Sequence, residues 1–285
     1  MKLKVLTTVA QVKEFVRAAK KVGKTIGLVP TMGALHQGHL SLMRQAKQST
    51  DVVIASVFVN PTQFGPNEDF AAYPRQFTAD CEKLDSVDVD AVFHPSVEEM
   101  YPQDYTAYVT VDGEITNKLC GAKRPGHFRG VATVVTKLLN ITEADKAFFG
   151  QKDAQQVVVI KRFVRDLNIN VEIDMVPIVR AENGLALSSR NKYLSAEEKT
   201  AALVLSASLR DASAAYQQGE TSIAALKERI TKKIQSEPLA QIDYVDLYTF
   251  PDLRACDTVE GQVLIALAVK FGTTRLIDNA IIGGK

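Results

Sequence analysis

The stretch from Thr25 to Ala46, TIGLVPTMGALHQGHLSLMRQA, constrains this chain more than any other. It begins with a short apolar run, Ile26 to Val29. Pro30, Thr31 and Gly33 are expected to break that strand, because proline lacks an amide hydrogen and glycine favours turns. His36, Gly38 and His39 follow, and Leu40, Met43 and Ala46 resume at helical spacing. A strand that turns through glycine into a helix points to α/β architecture. It also aims free N–H groups and the positive helix end at one spot, which makes an anion site. Two imidazoles at positions 36 and 39 lie on nearly the same face of that helix start.

The rest of the chain repeats the alternation. Thr8 and Gln11 form a capping box before a stripe of Val12, Phe15, Val16 and Ala19 that Gly23 ends. VVIASVFV, Val52 to Val59, is an unbroken β-branched run, as expected of a parallel strand covered on both faces. NPTQFGPNED reads as a loop, Phe77 to Leu84 as a helix and Val89 to Phe93 as a strand. Tyr108 to Val111 reads as a strand, GAKRPGHFRG as a loop and Val131 to Leu139 as a helix. Ala147 to Phe149 is a short strand, Asp153 caps a helix to about Asp166, and Val171 to Val176 is a strand.

After Pro177 the texture changes. Ser195 and Glu198 form a capping box before a long helix ending at Gly219, and Thr221 to Ser236 is a second helix. Ile242 to Tyr248, Gln262 to Phe271 and Arg275 to Asp278 read as strands. The expectation is a Rossmann-like, doubly wound parallel sheet over residues 1–177, with a smaller α+β domain over 178–285. Ligands of such sheets bind at the carboxyl ends of the strands, so the loops after Val29, Val59 and Phe149 should converge.

Composition excludes several classes. A net charge of +1 without a long basic run argues against a nucleic-acid surface. Cys81, Cys120 and Cys256 are too scattered for a disulfide framework or a CxxC metal site. No apolar run reaches membrane-spanning length, and the N-terminus lacks the apolar core of a signal peptide, so the expected location is the cytoplasm.

Four motifs could carry chemistry. His36 and His39 can donate to phosphate, when charged or from whichever ring nitrogen holds the proton. Lys152 in FGQKD, Phe149 to Asp153, could neutralise phosphate charge. Ser188, Ser189 and Arg190 in LALSSRN make a small anion-binding set. Gln63 in VNPTQFGPNEDFAAYPR offers a donor and an acceptor suited to a small hydroxy acid. Beside it, Arg124, His127 and Arg129 of GAKRPGHFRG are cationic candidates. Taken singly, FGQKD and LALSSRN are ordinary loop composition. Together with the upstream HxGH they resemble the nucleotidyltransferases of the HxGH superfamily.

PTMGALHQGH, FVNPTQFGPNEDFAAYPR, GAKRPGHFRGV, FGQKDAQQ, LALSSRN and the terminal RLIDN, taken together and in order, resemble the pantothenate synthetases, the pantoate–β-alanine ligase family. The resemblance runs from residue 29 to 279, and residues 196–262 add almost nothing to it. It implies an enzyme that joins pantoate to β-alanine with ATP through a pantoyl adenylate, releasing AMP and pyrophosphate. It implies that Met32, Gly33, Ala34, Leu35, His36, Gln37, Gly38 and His39 cradle ATP, with His39 as proton donor. We read both imidazoles as phosphate stabilisers, most effective when charged. Gly150, Gln151, Lys152 and Asp153 also bind ATP by this resemblance, and Val179, Leu187, Ser188, Ser189 and Arg190 complete the site from the second domain. Gln63 and Gln156 hold pantoate, with Asn60 as a neighbour, and Gln63 also lines the β-alanine site. Mg²⁺ accompanies ATP with no metal ligand named, and a homodimer is implied.

Two other readings stand beside the ligase. One is a nucleotidyltransferase that adenylylates a small phosphate ester. The other is a silent nucleotide-binding module, against which the intact His36, His39, Lys152 and Ser188–Arg190 set argues.

Overall fold

Parallel pairing of six short apolar strands forms the main sheet of the computed structural model, which describes residues 3–66 and 68–284. Asn67, inside the loop expected after the Val52–Val59 run, lies outside the described residues. In chain order the elements are β1 (Lys4–Leu6), α1 (Val9–Lys21), β2 (Ile26–Thr31), α2 (Gln37–Ser49), β3 (Val52–Val57), α3 (Phe77–Asp85) and β4 (Ala91–Phe93). Then come α4 (Val97–Met100), α5 (Leu119–Lys123), α6 (His127–Thr142), β5 (Lys146–Gly150), α7 (Ala154–Asp166) and β6 (Glu172–Val176). The strand order is β1-β4-β3-β2-β5-β6. The chain winds outward from β2 toward β4, then crosses to β5 and β6 on the other side. The switch point of this sheet therefore lies between β2 and β5, where a ligand crevice is expected.

The smaller part holds α8 (Ala196–Ala201), α9 (Leu203–Gln217) and α10 (Ile223–Gln235), followed by β7 (Ala240–Thr249), β8 (Val263–Phe271) and β9 (Thr274–Ile282). The last three form an antiparallel sheet in that order. Its apolar face packs with α9 and α10 in a cluster of its own, while Leu253, Leu264 and Ala266 join the core of the parallel sheet. Among the described residues no helix is long and apolar enough to cross a membrane.

Local expectations hold at the capping boxes of Thr8–Gln11 and Ser195–Glu198, both formed with reciprocal bonds. Others need correction. Pro30 does not end β2; it pairs in register with Ser56. The Thr31 carbonyl takes the Phe58 N–H on the β3 side, so by alternation Pro30 faces β5. Pairing with β5 stops at Leu28, and no ladder bond is lost there. Tyr108 to Val111 is not a strand. It docks on α6, where the Val109 N–H reaches Thr133 Oγ1 at 3.0 Å and Arg129 stacks 4.0 Å from the Tyr108 ring. GAKRPGHFRG is mostly helix, because α5 ends at Lys123 and α6 starts at His127 after left-handed Gly126. The helix expected from Ser195 to Gly219 breaks at Ala202, whose carbonyl takes the Leu205 N–H three residues on. Asp153 stands at the N-cap of α7, yet its side chain makes no capping bond. Strand β9 is longer than Arg275 to Asp278, and β1, α4 and α5 carry too few periodic residues to be read.

Candidate active site

Helix α2 is capped by its own histidine. The Gly38 N–H donates to His36 Nδ1 at 3.1 Å, and the His36 N–H donates to His39 Nδ1 at 3.3 Å. The two rings stack with centroids 4.0 Å apart. Each Nδ1 accepts, so each neutral ring carries its proton on Nε2. Burial, with Lys152 and Lys83 adding to it, pulls His36 down to about 4 against a weaker opposing pull from Asp153. His39 lies well below the usual imidazole range, first through burial and then through His36, Lys152 and Lys83. The expectation of charged imidazoles is therefore corrected for the unliganded chain. Both rings are neutral donors through Nε2–H, because desolvation disfavours the cation.

The turn before them is held from beneath. Gly33 and Ala34 both have positive φ, +82° and +51°. A Cβ on Gly33 would sit 3.0 Å from Asp80 Oδ2, so glycine meets both the angle and the space. The buried Asp80 accepts the N–H groups of Ala34 and Leu35. Sequence reasoning passed over Asp80. The only signal was a carboxylate on the buried side of α3.

Across the switch point, β5 delivers the Gln151–Asp153 turn. Asn279 of β9 steadies it, donating to the carbonyls of Gln151 at 2.9 Å and Lys152 at 3.0 Å. Lys152 Nζ has a loose ion pair with Asp153 at 3.4 Å, which leaves the ammonium open to the cleft. The second wall comes from the Ser189–Tyr193 turn, where Ser188 Oγ accepts the Arg190 N–H. Leu187 is tied to Val179 by a backbone bond of 3.0 Å.

Residues 60–66 and 68–75 strap these walls together. Arg190 grips Asp69 with two bonds of 2.7 and 3.1 Å, and Arg124 grips Glu68 with two of 2.6 and 2.7 Å. Tyr73 OH lies 3.4 Å from Ser189 Oγ. The cationic trio expected in GAKRPGHFRG resolves differently. Arg124 is neutralised by Glu68, and Arg129 stacks on Tyr108. His127 is held at about 4 by burial and by Arg124, with its Nδ1 on the Gln63 carbonyl at 2.9 Å.

Asn60 lines the cleft but spends its polar atoms inside the protein. Its Nδ2 donates to Gln63 Oε1 and the Gly130 carbonyl, and its Oδ1 accepts from Tyr101 and Thr62. Asn60, the expected pantoate neighbour, thus also supports Gln63. Among the described residues, Gln63 Nε2 meets only Met32 Sδ, a weak acceptor. Among the described residues, the Gln156 amide makes no hydrogen bond and lines the cleft.

All of this surrounds a cavity of about 230 Å³ at the carboxyl ends of β2, β3 and β5. Its wall brings together Met32, His36, Gly38, His39, Gln63, Gly150, Lys152, Asp153, Gln156, Val179, Leu187, Ser188, Ser189 and Arg190. Gly33, Ala34, Leu35, Gln37 and Gln151 shape the loops without lining it. Phe58, Val131, Val134, Val135 and Leu138 add an apolar wall; sequence reasoning placed Phe58 in a strand and the other four on a helix face, none of them in a site. A smaller chamber of about 90 Å³ opens beside it past Gln156 and Lys152. Among the described residues no three acidic, histidine or cysteine side chains cluster as a metal site.

A model of the pantoate-beta-alanine ligase family matches residues 4–281. A pantothenate synthetase of Pelotomaculum thermopropionicum is 56% identical over 279 residues, 98% of this chain and 99% of that protein. One of Acetivibrio thermocellus is 55% identical over 280 residues, again 98% and 99%. The crystal structure of pantothenate synthetase from Thermus thermophilus superposes with a TM-score of 0.93 at 41% identity, covering 98% of this chain and 99% of that one. A pantoate-beta-alanine ligase from Francisella tularensis, complexed with beta-gamma ATP and beta-alanine, gives 0.79 at 37% identity, with 98% and 97% covered.

Proposed function

The chain belongs to the pantoate–β-alanine ligase family, and from that premise we propose how its cleft performs the ATP-dependent condensation of pantoate with β-alanine. Transfer of AMP to a phosphate ester is not favoured by these relatives. The observation that carries the proposal is the stacked His36–His39 pair at the start of α2, with Lys152 and Ser188–Arg190 lining the same cleft.

ATP lies with its phosphates over the α2 N-terminus. The Nε2–H groups of His36 and His39, Lys152 Nζ and the Ser188–Arg190 turn take the charge of the leaving pyrophosphate. Gly38 leaves room for the backbone to approach, and Val179 and Leu187 border the nucleoside. Pantoate rests against the apolar wall of α6, its polar groups on Gln63 and Gln156. Its carboxylate oxygen attacks the α-phosphorus as the bond to pyrophosphate breaks. The amine of β-alanine, beside Gln63, then attacks the acyl carbonyl; the C–N bond forms, a proton is lost and AMP leaves. Positioning and charge stabilisation supply the catalysis, and no protein nucleophile is needed.

The site offers no clustered carboxylates among the described residues, so Mg²⁺ would be held mainly by the phosphates and water and would neutralise their charge. Residues 1–177 act as the ATP- and pantoate-binding unit, and 178–285 as a unit closing over the nucleotide. This division is supported by the two separate sheets. The reading carries with it a cytoplasmic homodimer without a nucleic-acid partner, which sedimentation of the purified chain tests for its oligomeric part.

AMP formation, followed as the substrates are added separately and together, tests the proposal. Stoichiometric AMP and pantothenate are expected only with ATP, pantoate and β-alanine all present. AMP release at full rate without pantoate would contradict it.

A further inference from the structure

Helix α3 reaches under the histidine turn with two side chains. Asp80 is only 1% exposed, and its two oxygens take the Ala34 N–H at 2.9 Å and the Leu35 N–H at 2.8 Å. One helical turn later, Lys83 Nζ donates to the Leu35 carbonyl at 2.8 Å. Both polar backbone atoms of Leu35 are thereby fixed by one helix, and His36 is the next residue. Among the described residues Asp80 has no ion-pair partner within 4.0 Å. A buried carboxylate is tolerated only where donors satisfy it, and here the donors are the N–H groups of a turn with positive φ. Neither Asp80 nor Lys83 lines the substrate cleft.

We propose that Asp80 and Lys83 are positioning residues for the adenylation step: they clamp the Ala34–Leu35 peptide and so set where the Nε2–H groups of His36 and His39 point. The inference rests on the reading of those imidazoles as phosphate donors. The geometry supports it in a specific way. The ring of His36 is fixed by the Gly38 N–H, and that of His39 by the His36 N–H. Both anchors are backbone groups just downstream of the clamped peptide, so rotation there moves both rings together. The ammonium of Lys83 also faces the pair from α3 while Lys152 and Asp153 face it from the β5 turn.

Pantoate-dependent exchange of pyrophosphate into ATP tests the clamp in the full chain. In Asp80→Asn the amide nitrogen opposes one of the two N–H groups, and the exchange kcat should fall about ten- to a hundredfold, the scale of a misplacement near 1 Å. The KM for pantoate should hold, since Gln63 and Gln156 stand on other elements. Lys83→Met should lower kcat in the same sense, and Lys83→Arg should restore it. A folded Asp80→Asn protein with wild-type kcat, or one whose pantoate KM rises as far as kcat falls, overturns the clamp. Should Asp80→Asn not fold, unchanged kcat in Lys83→Met overturns it. Absence of exchange in the wild type would instead contradict the reading of the site. The ring ¹⁵N signals of His36 and His39 then decide the clamp alone: they should shift in both variants, and unmoved signals overturn it.

Discussion

At the scale of single residues, the proposed chemistry depends on which imidazole nitrogen carries the proton. Backbone N–H groups occupy Nδ1 of both His36 and His39, so Nε2–H is the donor each can offer a phosphate. His39→Ala should cut adenylate formation by roughly 10²–10³-fold, the loss of one transition-state donor; rapid-quench measurement of pantoyl adenylate checks it. The pH dependence follows from the same burial. In the free chain His36 protonates only near pH 4 and His39 below the usual range, so kcat/KM for ATP should show no acid limb near 6.5. Bound polyphosphate adds negative charge and raises both, so any acid limb in kcat should lie above that in kcat/KM. Stability has its own window. His36, His39 and His127 all bind protons less readily folded than unfolded. Stability from their neutral burial is thus complete above the unfolded value near 6.5 and is lost as pH falls toward about 4. The melting temperature should drop across that range, and His127→Gln should flatten part of the drop.

At the scale of elements, close approaches set the site. Helix α6 meets the Pro61–Gln63 turn at Gly130, where any Cβ would strike the Thr62 carbonyl. Gly130→Ala should push that turn away and raise the KM for pantoate more than that for ATP, because Gln63 moves while α2 does not. The strap is fastened at Asp69 to Arg190 of the Ser189–Tyr193 turn and at Glu68 to Arg124 ahead of α6. Asp69→Asn should speed proteolytic cleavage between residues 66 and 75 without much change in melting temperature, since the pair is partly exposed. These elements also divide what could be read from the chain. Strand, turn and helix around His36 were legible because the apolar run, the glycine and the helical spacing after it agreed there. Tyr108 to Val111 misled because β-branched composition looks the same whether its N–H groups meet a strand or, as here, a threonine on a helix. Pro30 misled because its cost depends on which neighbour it faces. Asp80 and the apolar wall of α6 were invisible as site residues, since their role arises only when α3 lies beneath the Ala34–Leu35 turn and α6 packs against β2.

At the scale of the whole molecule, the two sheets meet at the turn after β5. Asn279, near the end of the chain, holds the carbonyls of Gln151 and Lys152 that β5 presents. The terminal RLIDN resembled the family before any role could be assigned to it, because its partners lie more than a hundred positions upstream. Asn279→Ala should leave two carbonyls unpaired. It should destabilise the chain by about 1–3 kcal/mol and weaken ATP binding more than pantoate binding, which calorimetry of each ligand can separate. The central claim concerns the joined cleft: a carboxylate is activated on ATP before any amine is needed. Exchange of labelled pyrophosphate into ATP, with pantoate present and β-alanine absent, tests it most directly. Rapid exchange that vanishes without pantoate is the predicted result; no exchange until β-alanine is added would contradict the account.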